Sequence, residues 1–214
     1  MEFINQCISL FLHLDTHLSA VIASFGMWTY ALLFLIIFCE TGLVVTPFLP
    51  GDSLLFALGA LAAQNTLNLP VLLILLSVAA ILGNMLNYSV GHFLGPKVLG
   101  RKKLKFIKQE YLNRTHQFFE KYGGKTIILT RFVPIIRTFA PFLAGVGLMP
   151  YLKFLAYNVI GGTLWVVSFL LLGYFFGNLA VVQKNFSLVI LAIIVISMIP
   201  AAVEFLRARS QQLK

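Results

Sequence analysis

The chain has 214 residues, 59% of them hydrophobic and only 11% charged, with a mean hydropathy of +0.92. Soluble domains carry roughly 25% charged residues, so this composition excludes a large soluble domain and identifies an all-α polytopic membrane protein. A hydrocarbon core ~30 Å thick takes ~20 helical residues per crossing, which leaves room for about five to seven membrane segments. The net charge of +9 is unevenly placed: residues 1 to 96 hold Glu2, Asp15, Glu40 and Asp52 with no Lys or Arg, and all 16 basic residues follow. Those cations border apolar spans, which assigns them to membrane topology and anionic headgroups rather than to nucleic acid, for which no recognition motif is present. Cys7 and Cys39 have no CxxC partner and no His at ligand spacing, so neither a disulfide framework nor a metal site is expected.

The N-terminal Met-Glu-Phe-Ile-Asn-Gln lacks the positive region of a cleavable signal peptide, so the first apolar stretch, Leu18 to Cys39, is expected to be a retained span. From about 40 to 63 the sequence is broken by Gly42, Pro47, Pro50, Gly51 and Gly59 and carries two carboxylates, which predicts a re-entrant hairpin, with a full crossing as the alternative. The polar run Gln64 to Asn68 and Pro70 leads into a second span, Val71 to Leu94, predicted to stop at Gly95-Pro96. Residues 97 to 125 hold nine Lys/Arg against two Glu, with Leu104, Ile107, Tyr111, Phe118 and Tyr122 at near-helical spacing. An amphipathic cytoplasmic segment or an ordinary basic connection fits this pattern equally. A second hairpin is predicted over 126 to 150, interrupted by Arg131, Pro134, Arg137, Pro141, Gly145 and Gly147, followed by spans Phe154 to Phe176 and Phe186 to Leu206 and a basic tail.

The positive-inside rule puts 97 to 125 and the C-terminus in the cytoplasm, so that the two hairpins enter from opposite sides. Each is followed by a span with a related ending, Gly91-His92-Phe93-Leu94-Gly95 and Gly173-Tyr174-Phe175-Phe176-Gly177, the pattern of a degenerate inverted repeat. Short, Pro/Gly-broken apolar segments at corresponding places in two halves point to a transporter's binding site. For the glycine pairs alone, helix packing is the stronger reading.

Four charges lie inside apolar segments: Glu40, Asp52, Arg131 and Arg137. Each costs about 2.5–3.5 kcal/mol at a helix centre on insertion scales, a penalty that needs compensation or use. Two acid–base pairs that merely hold the hairpins together would compensate it. The functional alternative is that Arg131 and Arg137 bind a phosphate, for which the planar guanidinium is suited, while Glu40 and Asp52 exchange protons. Asn84, Asn87 and Tyr88 on the following span are candidates to line the same cavity or to bond between helices.

Glu40-Thr41-Gly42, Pro47-Phe48-Leu49-Pro50-Gly51-Asp52-Ser53-Leu54-Leu55, Gly123-Gly124-Lys125, Arg131-Phe132-Val133-Pro134-Ile135-Ile136-Arg137-Thr138, Ala144-Gly145 and Asn158 with Gly161 and Trp165 together resemble the bacterial DedA family of inner-membrane proteins. The resemblance covers nearly the whole chain as one DedA/VTT-like domain, residues 1 to 214, and its ordered set of motifs is specific. It implies a fold with two re-entrant hairpins, shared with the VTT domain of eukaryotic lipid scramblases, and movement of lipid phosphates, notably undecaprenyl phosphate, coupled to proton motive force. It also implies essential roles for Glu40, Asp52, Arg131 and Arg137. The sequence departs from the family pattern at Asn84, where an acid is frequent, and at His92, where Arg is frequent, which bears on coupling and on any role of position 92.

The leading expectation is therefore a lipid-phosphate flippase with membrane lipids and protons as partners and no cofactor. A proton-driven cation or drug antiporter using Glu40 and Asp52 is the second reading, and a membrane-maintenance factor without transport the third. A lipid-phosphate enzyme ranks last, because HExxH, GxSxG, PSGH and SRxxxxxH patterns are missing from the sequence. The exact lipid, transport direction, stoichiometry and oligomeric state are not encoded in any of these features.

Overall fold

The computed structural model describes residues 25–43, 51–100, 124–132, 134–147, 149–177, 179 and 182. Among these it is helical throughout: α1 (Trp28–Gly42), α2 (Gly51–Ala63), α3 (Leu69–Gly100), α4 (Lys125–Thr130), α5 (Pro134–Val146) and α6 (Tyr151–Phe176). Within α3 and α6, Leu69–Leu94 and Tyr151–Phe176 are each 26 residues long and apolar enough to cross a membrane. At 13 residues each, α2 and α5 reach about 20 Å, short of a ~30 Å hydrocarbon core. The predicted span 186 to 206 and the basic segment 101 to 123 lie outside the described residues, as does the start of the first span.

Local chemistry explains the breaks. After α2 the chain turns at Asn65, whose φ of 59° is the left-handed conformation that Asn tolerates at a helix C-terminus, and Thr66 N–H donates back to the Leu61 carbonyl at 3.2 Å. Asn68 then caps α3, its Oδ1 accepting from the Val71 N–H at 3.1 Å, with Pro70 in the first turn where a missing N–H does no harm. Pro134 opens α5 in the same way, which separates it from α4 and leaves Arg131 at the break.

Two boundaries differ from the sequence reading. First, α3 does not stop at Gly95-Pro96 but continues to Gly100, since one proline removes a single backbone bond that a long apolar helix tolerates. Second, Glu40 belongs to the last turn of α1 rather than to the first hairpin, because the helix ends at Gly42 and not at the first charge.

The chain divides into two compact units, one holding Met1–Ile36, Pro50–Ser77 and Val166–Lys214, the other Ile37–Leu49 and Val78–Trp165. In the first unit, twelve consecutive residues of α2 from Gly51 to Ala62 are buried. Gly59 of α2 lies on the carbonyl of Leu170 in α6, and Gly173 of α6 lies on the carbonyl of Phe56 in α2. The second unit repeats the arrangement with other helices: Gly145 of α5 on the Tyr88 carbonyl of α3, and Gly91 of α3 on the Phe142 carbonyl of α5. In all four contacts the glycine stands three residues from the residue whose carbonyl the partner glycine touches. Gly91 and Gly173 are thus packing glycines that bring backbones together. Around the second of these contacts sits an apolar cluster of Tyr88, Ile127, Ala140, Ala144, Met149 and Phe154.

The long helices bury their few polar side chains among apolar ones and expose apolar side chains. Along α3, Val71, Ile74, Val78, Leu82, Leu86, Val90 and Phe93 form one exposed stripe at three-to-four-residue spacing, while Ser77, Asn84 and Asn87 are buried. In water this would be an unfavourable surface; against lipid chains it is the expected one.

A Cβ at Gly59 or Gly173 would collide with backbone that cannot rotate away. Gly59→Val and Gly173→Val are therefore expected to lower the unfolding temperature of the detergent-solubilised protein, at a cost of about 1–3 kcal/mol each. Leu152→Ala, at a side chain that is 79% exposed, is expected to change it little.

Candidate functional site

Three of the four buried charges meet in the second unit. Glu40, in the last turn of α1, is 1% exposed, Arg137, in the first turns of α5, 8%, and Arg131, at the end of α4, 3%. Arg137 Nη2 donates to Glu40 Oε1 in a buried ion pair. The same guanidinium lies over the indole of Trp165, its Cζ 4.9 Å from the ring centroid, so that the π-face supplies a second favourable contact to the cation. Asp52 belongs to the other unit, in the first turn of α2, where it is 7% exposed and complements the positive end of the helix.

Arg131 is held differently. Its Nη2 donates to Asn158 Oδ1 on α6 and to the Ala80 carbonyl on α3 at 3.4 Å. The Asn84 amide on α3 has two orientations. One turns its amino group to Asn158 Oδ1 at 3.1 Å and thereby sets donor against donor at the guanidinium. The other turns its oxygen to Arg131, 2.6 Å from Nη2 and 3.3 Å from Nε, and its nitrogen to the Thr41 carbonyl at 3.3 Å. A guanidinium has only donors, so the second orientation is the one that satisfies Arg131, with the amide oxygens of Asn84 and Asn158 3.1 Å apart and both accepting from its Nη2. Asn158 is fixed in turn by its Nδ2, which donates to the Ile81 carbonyl at 3.0 Å. Every hydrogen-bond acceptor of Arg131 among the described residues is therefore a neutral amide or carbonyl.

Asn87 ties this region together. Its Nδ2 donates to the carbonyls of Thr41, at 3.3 Å, and Thr138, at 2.8 Å, which directly follow Glu40 and Arg137 in sequence. The Thr41 carbonyl is one of those that the end of α1 leaves without a helical partner. One amide thus fixes the two backbones that carry the ion pair. Asn87 itself is fully buried, and its Oδ1 has no partner among the described residues.

The sequence-predicted residues are thus brought together in part. Glu40, Arg131, Arg137, Asn84 and Asn87 share one buried polar network. Tyr88 does not: its hydroxyl donates to the Met149 carbonyl, and its ring stacks on Phe154 at 4.4 Å and on His92 at 6.1 Å. With His92 and Tyr151 it lines a separate open cleft of about 420 Å³. Among the described residues of this unit, Glu40 and Arg137 form an acid–base pair and Arg131 is held by amides. Asn158 and Trp165 were legible only as motif residues. A lone Asn in an apolar span was the available signal for the former, whereas nothing local marks the indole as a cation's neighbour.

Removing one member of the buried pair leaves the other uncompensated, so Glu40→Gln or Arg137→Gln alone is expected to cost about 3–5 kcal/mol, and the double variant less than the sum, in a thermal-unfolding double-mutant cycle. Asn87→Ala, which removes the donor to two buried carbonyls, is expected to destabilise by about 1–3 kcal/mol in the same assay.

Comparison with known proteins shows the family of the chain. The VTT domain family matches residues 49–175. Protein DedA of Escherichia coli K12 is 54% identical over 209 residues, covering 97% of this chain and 95% of its own. Uncharacterized membrane protein Rv0364 of Mycobacterium tuberculosis H37Rv is 43% identical over 185 residues, 86% of this chain and 81% of its own. Inner membrane protein YqjA of Escherichia coli K12 is 35% identical over 184 residues, 86% and 83% of the two chains. No solved structure matches the chain.

Proposed function

This chain belongs to the DedA family of VTT-domain membrane proteins, and from that premise we propose that it is a carrier that moves a lipid phosphate across the bacterial inner membrane. The observation that carries this reading is Arg131: a guanidinium 3% exposed, with only neutral acceptors among the described residues, in a protein whose outer face is apolar. A standing cation at such a place costs several kcal/mol, and a phosphate is the ligand whose charge and geometry would offset it. Among the described residues its bonds engage Nη2 and Nε, which leaves Nη1 to an arriving anion.

Arg137 supplies the second anion contact once Glu40 is protonated. Glu40 and the substrate compete for one guanidinium, so proton uptake on the carboxylate and phosphate capture are linked, and Asp52 is a second proton-responsive group. This is the form that coupling to proton motive force takes in our reading, with undecaprenyl phosphate or a phospholipid as substrate. A cation site at Glu40 is less favoured, since Arg137 already engages its charge.

The short helices α2 and α5, each below the length of a crossing, support re-entrant hairpins over about 40 to 63 and 126 to 150. The recurrence of one glycine–carbonyl pattern in α2 with α6 and in α5 with α3 supports an inverted repeat. Multi-pass insertion with 97 to 125 and the C-terminus in the cytoplasm completes the proposal.

Movement of a labelled undecaprenyl phosphate across proteoliposomes, with and without a pH gradient, tests it. Arg131→Ala and Arg137→Ala are expected to lower transport more than tenfold, and Glu40→Gln and Asp52→Asn to lose the response to the gradient. Absence of lipid movement by folded wild-type protein would sink the proposal.

A further inference from the structure

Asn84, Tyr88 and His92 stand four residues apart and so lie one above the other on one face of α3. Opposite them α6 presents Asn158, Phe154 and Tyr151. Asn84 meets Asn158 at the Arg131 guanidinium, Tyr88 stacks on Phe154, and His92 shares with Tyr151 the open cleft of about 420 Å³. One seam between the two helices therefore runs from Arg131 to the cleft, about 12 Å along α3 from Asn84 to His92. The Tyr88 ring is the layer between its two ends, with Tyr151 at 5.7 Å and its own hydroxyl spent on the Met149 carbonyl.

The cleft lies where both membrane-length segments end, His92 and Phe93 in the last turn of Leu69–Leu94 and Tyr151 at the start of Tyr151–Phe176. Ends of spans stand at the level of lipid headgroups. Ser89 also lines the cleft, but its hydroxyl donates to the Met85 carbonyl of its own helix. The His92 imidazole and the Tyr151 hydroxyl, both exposed, have no hydrogen-bond partner among the described residues. An imidazole carries at least one N–H in either protonation state and a tyrosine one O–H, so the cleft offers two donors. None of its lining residues is acidic, and Lys153, exposed two residues beyond Tyr151, adds positive charge. Beside these donors Phe93 is 70% exposed and Leu152 is bare as well. Donors without an acid suit an anion, and the apolar rim suits chains attached to it.

We propose that this cleft is an outer headgroup site: the His92 imidazole and the Tyr151 hydroxyl donate to the phosphate of a membrane lipid whose chains lie over Phe93, on the seam that leads to Arg131. The proposal goes beyond the transport reading, because the cleft would hold a headgroup whether or not the arginines do. A neutral amphiphile would leave the donors unused, and a free phosphate would leave the apolar rim bare.

A phosphatidylglycerol with a photoreactive group beside its headgroup tests this on the full-length protein in a sugar-headed detergent, which carries no phosphate. Crosslinks, read by peptide mass spectrometry, are expected within residues 88 to 93 and 149 to 152. His92→Leu and Tyr151→Phe are each expected to raise the probe concentration for half-maximal labelling by about tenfold. Both side chains are exposed, so the unfolding temperature should stay near that of wild type. His92→Arg, which keeps a donor, is expected to hold labelling within about threefold of wild type. Equal labelling by a diacylglycerol probe with the same chains overturns the proposal, as does wild-type labelling in both His92→Leu and Tyr151→Phe. Crosslinks confined to residues 101 to 123 or elsewhere outside the cleft overturn it too. Inorganic phosphate at equal concentration should compete poorly, and displacement as complete as that by unlabelled phosphatidylglycerol overturns the assignment to a lipid. Failure of the transport reading looks different: wild type then moves no lipid, while the cleft is still labelled and still depends on His92.

Discussion

A positive charge buried away from water, with no carboxylate bonded to it among the described residues, is the constraint around which the second unit is arranged. Arg131 would be untenable on an isolated apolar helix. Holding it takes a break between α4 and α5 that delivers the side chain inward, an asparagine from α3, another from α6 and a backbone carbonyl. The neighbouring asparagine, Asn87, is drawn into the same region to hold the backbones beside Glu40 and Arg137. Helix packing and polar chemistry are here one problem: these amides satisfy the charge only if three helices stay in register.

The sequence made the membrane class, the two long spans and the short broken segments legible because each rests on composition, length or Pro/Gly placement, which are local properties. The four buried charges were legible for a similar reason, as every one interrupts an apolar run. Their pairing was not. Glu40 and Arg137 stand far apart in the chain, and nothing in either neighbourhood says that Arg137 takes the acid while Arg131 takes amides. Helix ends were misplaced where a strong local signal met a stronger context: Gly95-Pro96 reads as a stop, yet α3 runs on to Gly100, and Glu40 reads as the end of a span, yet α1 includes it. The glycines of the two related endings were readable as packing residues, but their partners, carbonyls on α2 and α5, carry no side-chain signature at all.

The two arginines, read jointly from sequence, are held in two different ways. One is paired with a carboxylate and lies over an indole. The other is hydrogen-bonded to neutral amides and a backbone carbonyl. The membrane context makes both arrangements matter, because water is scarce there and a buried charge has few other partners.

The reciprocal glycine contacts also limit how these helices are able to move. Sliding α2 along α6, or α5 along α3, by one residue would drive a side chain into a carbonyl, so axial ratcheting is closed off. What remains is pivoting about the crossing point, which makes each short helix a lever with a fixed fulcrum. Asp52 lies on α2 ahead of Phe56 and Gly59, and Arg137 on α5 ahead of Phe142 and Gly145, each about 6–12 Å from its fulcrum along the helix axis. A tilt of a few degrees that scarcely disturbs the backbone contact therefore displaces the charged end most, and both short helices carry their ionisable residue on that arm.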